Sequence, residues 1–436
     1  MISKIRNKIQ GLDDSKRRLL RGSSWMVGGT VVSKVLVFCA TILVARILTK
    51  DIYGELSIIR STIQMFIALS SFGIGATATK YIAEYRHTEP ARAVRIYYIS
   101  NIFILAMAVV MMGVLFVSAE SIAANLLNAP SLAAELRIAA CILFFSLMNG
   151  AQTGSLAGFE DFPVIARANI LNGVLEVILL PLGAWLFGLS GAIIGFGSCF
   201  LGVFVFNAIA LHRHLASLGV ARGAVLRGLR PADFKVVVKF SLPIAMSSWI
   251  IMVTYWFSKT FMIKADGFGS MASYDVAEQF KTQLLFLPGI LSQVLLPIMS
   301  NKIAGGERDK ARDAARTNIK INVAITFGAY LLILAFGKYL LMLYGKSYTN
   351  LMPLYILCFA AIIDSVCNSY VPVIISANRV WRIISYNLVW SATLIGVYFC
   401  ASAYIYAENA LATAYLAATV AQCVLMTAFL RRRRLI

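Results

Sequence analysis

Long apolar runs alternate with short polar gaps along this chain, and the runs are about twenty residues each. That length crosses the roughly 30 Å of hydrocarbon in a bilayer as an α-helix. Reading the runs between their polar punctuation predicts twelve helices, at 24–46, 54–78, 97–118, 136–158, 166–187, 189–211, 240–264, 271–297, 319–341, 351–376, 384–406 and 409–430. The expected fold is an all-α polytopic membrane protein.

Composition agrees with the pattern. Of 436 residues, 59% are hydrophobic and only 14% charged, with a mean hydropathy of +0.78. A soluble chain carries about a quarter charged residues. Segment 1–22 is basic and polar, and the apolar run after it is too long for a cleavable signal, so it is expected to stay as a signal-anchor. The seven cysteines all fall in apolar runs, without metal-ligand spacing, and read as small buried hydrophobes.

The formal charge of +20 raises the question of nucleic acid. A nucleic-acid binder gathers its cations on one domain. Here they fill every second gap, which is the positive-inside pattern of a multi-span protein. About thirty basic residues lie on the side of the N-terminus. Only six lie opposite: Arg46, Lys50, Arg137, Lys264, Lys338 and Lys346. Both termini are therefore expected in the cytoplasm, with no nucleic-acid partner.

The chain also repeats itself. Ser23-Ser24-Trp25 precedes Ser33-Lys34 much as Ser247-Ser248-Trp249 precedes Ser258-Lys259. Tyr53 leads Arg60 by seven residues, and Tyr274 leads Lys281 by the same interval. Asn169 with Asn387, and Gly191-Ala192 with Asn409-Ala410, extend the series at an offset near 220. Six helices per repeat return the chain to its starting side, so both repeats insert the same way up and are expected to flank a central cavity. The resulting division is a basic N-terminus (1–23), an N-terminal six-helix bundle (24–212), a cytoplasmic linker (213–239), a C-terminal six-helix bundle (240–430) and a basic tail (431–436).

Charges within spans need a reason, because each costs around 2.5–3.5 kcal/mol at mid-membrane on insertion scales. The basic ones are Lys34, Arg60, Lys259 and Lys281; the acidic ones are Glu176, Asp275, Glu278 and Asp364. Lys259 and Arg60 lie within reach of the outer surface and can snorkel there. Glu278 stands i, i+3 from Lys281, which suits a local ion pair. Lys34 lies about 15 Å from the start of its span by helical rise, near the midplane, and Glu176 and Asp364 are similarly deep. A structural pair between Lys34 and one acid is the plain alternative to a role in function.

The basic residues match between repeats, Lys34 with Lys259 and Arg60 with Lys281, while the deep acids do not. Four cations facing one cavity suit an anionic substrate such as a diphosphate. Gln64, Asn149, Gln152, Gln279, Gln283 and Asn368 suit sugar hydroxyls or, equally, interhelical hydrogen bonds. The prolines near spans (Pro181, Pro243, Pro288, Pro297, Pro353 and Pro372) suit bent helices.

No nucleotide-binding Gly-rich loop, His-Glu-x-x-His or Gly-x-Ser-x-Gly occurs, and His87, His212 and His214 sit in gaps. No cofactor and no enzymatic activity are expected. Proton or sodium gradient coupling through Asp364 or Glu176 remains open.

Ala45-Arg46-Ile47-Leu48 followed by Tyr53-Gly54-Glu55 resembles the first external loop of polysaccharide transporters. Phe72-Gly73-Ile74-Gly75 running to Lys80-Tyr81-Ile82-Ala83-Glu84-Tyr85 resembles their second helix and first cytoplasmic loop. With the duplicated layout, the chain resembles O-antigen (Wzx-type) flippases of the multidrug/oligosaccharidyl-lipid/polysaccharide (MOP) superfamily. The resemblance implies an undecaprenyl-diphosphate-linked oligosaccharide as substrate, moved from the cytoplasmic to the periplasmic leaflet of the bacterial inner membrane through a cationic cavity. Lipids and other polysaccharide-assembly membrane proteins are the implied partners. A lipid II flippase would be expected to carry two more C-terminal helices, and a multidrug antiporter an acidic cavity. A membrane glycosyltransferase or polymerase would show a large external loop with clustered acids.

Overall fold

Hydrocarbon offers no partner to a peptide group, so a spanning segment must bond its own backbone, and the helix does so within one segment. The computed structural model is helical accordingly, with no strand among the described residues. It describes residues 14–71, 74–217, 231–292, 295, 299, 307–377, 379 and 381–433. Segments 1–13 and 218–230, together with Phe72, Gly73, Lys302 and Arg434 to Ile436, lie outside the described residues. The first part of the basic N-terminus, the middle of the expected linker, part of the second resemblance motif and the end of the tail are thereby left aside.

The helices are α1 (Asp14–Ile47), α2 (Lys50–Ser71), α3 (Ile74–Tyr85), α4 (Pro90–Ser121), α5 (Ala133–Gly158), α6 (Phe162–Ser217), α7 (Pro231–Asp266), α8 (Phe268–Leu284), α9 (Arg308–Met342), α10 (Met352–Ser376), α11 (Trp381–Ser402) and α12 (Ala407–Arg432). The expected spans fall on them, with 54–78 divided between α2 and α3 and 271–297 matched by α8 only as far as Leu284. Eight helices are long and apolar enough to cross a membrane among the described residues, and the bent pair α2–α3, with 46° between its arms, adds a ninth. Within α6, Phe187 and Gly188 leave helical geometry, so this one element holds two expected spans. α7 and α8 are not among these eight; α8 has 17 residues and carries Asp275, Glu278, Gln279 and Lys281.

Several helices overrun their expected starts. α1 begins at Asp14, α4 at Pro90 and α9 at Arg308. These extensions are basic turns that continue the backbone ladder into the polar zone, where apolar periodicity gives no signal.

The break in α6 is built by glycine. Gly188 takes φ +59°, which a side chain would strain. The two arms then meet so closely that a Cβ on Gly191 would lie 2.1 Å from the Gly183 carbonyl oxygen.

The chain divides into two compact units. The first comprises 1–47, 66–119 and 134–245, and the second 48–65, 120–133 and 246–436. In the first, α1 packs along α6, and Ala78, Ile82, Val94, Ile96, Leu156, Leu211 and Leu215 form one core. In the second, α12 packs on both α10 and α11, and Cys367, Tyr370, Val373, Tyr386, Met426 and Leu430 share a core with Ala311 and Ala315. Segment 120–133 joins this unit through Lys264, whose Nζ donates to the Asn125 carbonyl at 2.8 Å.

Outward faces carry Val110, Val117, Trp185, Phe187, Phe336 and Tyr339, all exposed. In water such a surface would aggregate; in lipid it is the solvated face. The cysteines correct the sequence reading on this point. Cys199, Cys358 and Cys367 are buried, but Cys39, Cys141 and Cys400 are exposed on apolar faces, where hydrocarbon serves as well as a core. Exposed aromatic residues mark both ends of α11, with Trp381 at 65% and Tyr404 just past its end at 89%.

The Gly191 contact makes a direct prediction. Gly191→Ala must push the arms of α6 apart and should cost about 1–3 kcal/mol. Gly113→Ala, which meets nothing within 4 Å, should change stability by about 0.5 kcal/mol or less. Unfolding of both purified variants by SDS in mixed micelles measures the difference, and equal stabilities would disprove the close approach.

Candidate functional site

The second unit gathers most of the intramembrane charge. Lys259 comes from α7, Glu278 and Lys281 from α8, Asp364 from α10, and Arg60 from α2. Lys259 and Lys281 are both 5% exposed. The Lys259 ammonium lies 2.6 Å from Glu278 Oε2, and Lys281 Nζ lies 4.0 Å from the other carboxylate oxygen. Lys259 also donates to Ser61 Oγ at 3.4 Å. One carboxylate therefore spans two buried ammoniums.

Two features of this arrangement differ from the sequence expectation. Lys259 turns inward instead of snorkelling. The i, i+3 neighbour Lys281 is the looser partner of Glu278, while the tighter one comes from another helix. Among the charges within spans of this unit, Arg60, Lys259 and Lys281 are equal in number to Asp275, Glu278 and Asp364.

Aromatic faces complete the lysine environment. Lys259 Nζ sits 4.5 Å from the Tyr255 ring centroid, four residues earlier on the same helix face. Lys281 Nζ sits 3.8 Å from the Tyr415 centroid and 5.6 Å from that of Tyr255. Ring faces attract cations, more strongly when water is excluded. Tyr415 in turn donates to Asp364 Oδ2 at 2.9 Å, and Tyr255 and Tyr274 share a hydroxyl contact of 2.8 Å. Trp390 closes the cage, its ring centroid 5.6 Å from that of Tyr415 and 6.3 Å from that of Tyr255.

A second polar chain lies nearer the start of α8. Tyr53, 1% exposed, donates to Asp275 Oδ2 at 3.2 Å. Gln279 donates to the same oxygen at 2.6 Å and to the Tyr53 hydroxyl at 2.7 Å, and accepts from Tyr344 at 3.0 Å. Gln279 is thus held within the protein. In the sequence Tyr53 and Tyr274 served as repeat landmarks, and Tyr53 also as part of a resemblance motif, without a role at a site; nothing singled out Tyr255, Tyr415 or Trp390. Aromatic residues are common in membrane helices, so no spacing marks them.

The remaining predicted residues lie elsewhere. Lys34 is half-buried on α1 in the first unit. Glu176, 3% exposed on α6, accepts from Asn172 at 3.3 Å. Among the described residues no ion pair joins Glu176 to Lys34. Asn149 donates to the Phe200 carbonyl at 2.9 Å, an interhelical use, and Gln152 is buried. Gln64 and Asn368 are exposed, and Gln283 is half-buried.

The buried pair predicts a coupling. Glu278→Gln alone leaves two buried ammoniums without their shared carboxylate and should cost about 3–5 kcal/mol, while Lys259→Met, which leaves Glu278 to Lys281, should cost less. The double variant should cost less than the sum by about 0.5–3 kcal/mol. SDS unfolding of the four proteins completes the cycle, and strict additivity would show the two side chains to be independent.

Comparison with known proteins follows the same lines. No curated protein matches the chain. Among solved structures, an inward-facing multidrug resistance MATE family transporter of the MOP superfamily superposes with a TM-score of 0.81 at 16% identity, over 92% of this chain and 94% of that one. A MOP superfamily transporter from Pyrococcus furiosus, described as having a binding pocket of reverse polarity, gives 0.71 at 16% identity over 96% and 95%. An outward-facing MATE family transporter gives 0.70 at 17% identity over 96% and 95%. These similarities establish the fold. A family model described as polysaccharide biosynthesis protein matches residues 19–303, well over half of the sequence. The chain belongs to the polysaccharide biosynthesis protein family, and it has the fold of the MOP superfamily transporters.

Proposed function

We propose that the protein flips an undecaprenyl-diphosphate-linked oligosaccharide, an O-antigen or related repeat unit, from the cytoplasmic to the periplasmic leaflet of the bacterial inner membrane by alternating access. Both termini are cytoplasmic in this reading. Family membership supports a transporter in polysaccharide assembly. The observation that carries the choice of an anionic lipid-linked substrate is the placement of Lys259 and Lys281, each 5% exposed, among aromatic faces within membrane-spanning helices. Charges so costly to embed serve a purpose, and a diphosphate offers charge-assisted hydrogen bonds to several ammoniums at once. Lys34, on the first unit, and Arg60 are read as further substrate-binding residues. The lipid tail stays in the bilayer, and other polysaccharide-assembly membrane proteins supply and consume the substrate.

Each charge-assisted bond contributes about 1.5–3 kcal/mol, so loss of Lys34 or Lys281 should weaken substrate binding by about one to two orders of magnitude. In a flippase-deficient strain, Lys34→Ala and Lys281→Ala should fail to restore surface polysaccharide, while Lys34→Arg restores part of it. Membrane levels of each variant are measured alongside. Full complementation by Lys34→Ala at normal abundance would remove Lys34 from the substrate site.

Directionality in this reading comes from a proton or sodium gradient through Asp364 or Glu176. Asp364 hangs from the Tyr415 hydroxyl beside Lys281, which supports it as the stronger candidate. In reconstituted vesicles, transport should depend on the gradient in the wild type and lose that dependence in Asp364→Asn. Gradient-independent transport by the wild type would exclude the coupling.

A further inference from the structure

We propose that Glu278 is a resident stand-in for the substrate's phosphates. Its carboxylate holds the place between Lys259 and Lys281 that an incoming diphosphate takes, and the two anions compete for it. This inference rests on the reading of the lysines as a diphosphate site.

The geometry is that of an under-filled anion site. Glu278 reaches Lys259 at 2.6 Å but Lys281 only at 4.0 Å. One negative charge thus stands between two positive ones. A diphosphate, with several oxygens and more charge, satisfies both ammoniums at hydrogen-bond distance.

The lysines have contacts besides Glu278 that keep them oriented while another anion neutralises them. Lys281 rests on the Tyr415 ring at 3.8 Å and near that of Tyr255 at 5.6 Å. Lys259 rests on Tyr255 at 4.5 Å and reaches Ser61 at 3.4 Å. Of the three charged side chains Glu278 is the most exposed, at 19% against 6% and 7%. It is the member that can be displaced while the aromatic cage keeps the others oriented. Asp364, the other acid near Lys281, is tied to the Tyr415 hydroxyl and leaves the gap between the lysines to Glu278.

The internal repeat supports the assignment. Tyr53 aligns with Tyr274 and Arg60 with Lys281, which sets Ser57 against Glu278. The first repeat has the cation without the acid, and Ser57 there donates only to the Tyr53 carbonyl of its own helix at 2.8 Å. The carboxylate is a feature of one repeat alone. Its action is to make binding reversible: as the diphosphate leaves, Glu278 returns and neutralises the lysines, so that neither state leaves two bare buried charges.

Inorganic pyrophosphate tests the competition by calorimetry on the full-length protein in detergent. Glu278→Gln should bind pyrophosphate about 10–100-fold more tightly than the wild type, as expected when one charge-assisted competitor is removed. It should also be stabilised more strongly by pyrophosphate in thermal melts. Glu278→Asp, which keeps the charge but shortens its reach, should fall between the two and guards against poor folding of the glutamine variant. Adding Lys281→Met to either should abolish the gain. Affinity in both variants equal to or below that of the wild type overturns the inference, whatever the complementation assay gives. Tighter binding in a protein that restores no surface polysaccharide even as wild type upholds the competition and removes the transport reading instead.

Discussion

A peptide group in hydrocarbon has no solvent to bond, and leaving one unpaired costs several kcal/mol. Every other feature of this molecule follows from that constraint. It forces the spans to be helical, and it places their apolar side chains outward as readily as inward. The same low dielectric applies to side chains. A lone ammonium in the second unit is untenable, so Lys259 and Lys281 appear with a carboxylate and aromatic faces around them. Arg60, Lys259 and Lys281 against Asp275, Glu278 and Asp364 is a local balance, kept in a chain whose overall charge is +20. The surplus lies in the sequence gaps between the spans.

The span layout was legible because hydrophobic run length is a local property. Even the division of α6 could be read, since Gly188 interrupts the run between Phe187 and Leu189. The starts of α1, α4 and α9 were not, because their first turns are basic and look like any cytoplasmic gap. At the site, Glu278 and Lys281 could be paired from their spacing on one helix. The shorter bond from Lys259 could not, since it depends on how α7 lies against α8. The cage of Tyr255, Tyr415 and Trp390 draws on three helices, and no interval in the sequence connects them.

The two repeats show how a duplicated scaffold specialises. Lys34 and Lys259 correspond in sequence, yet Lys259 is clasped by Glu278 while Lys34 lies half-buried without an ion pair among the described residues. Tyr53 and Tyr274 correspond as well. The first bonds Asp275 and Gln279, whereas the second bonds Tyr255. Equivalent positions thus keep their residue type while their partners diverge. One backbone plan can in this way supply two chemically distinct halves.

The aromatic residues at the ends of α11 have a consequence for where the protein can reside. Trp381 and Tyr404 bracket a helix of 22 residues, about 33 Å long at 1.5 Å per residue. Aromatic rings of this kind settle at the headgroup level, so the pair works as a ruler matched to a bilayer of ordinary thickness. A thinner membrane would oblige α11 to tilt, and α12, packed along it, to tilt too. Acyl-chain length thereby becomes a mechanical input to the second unit, the one that holds the lysines.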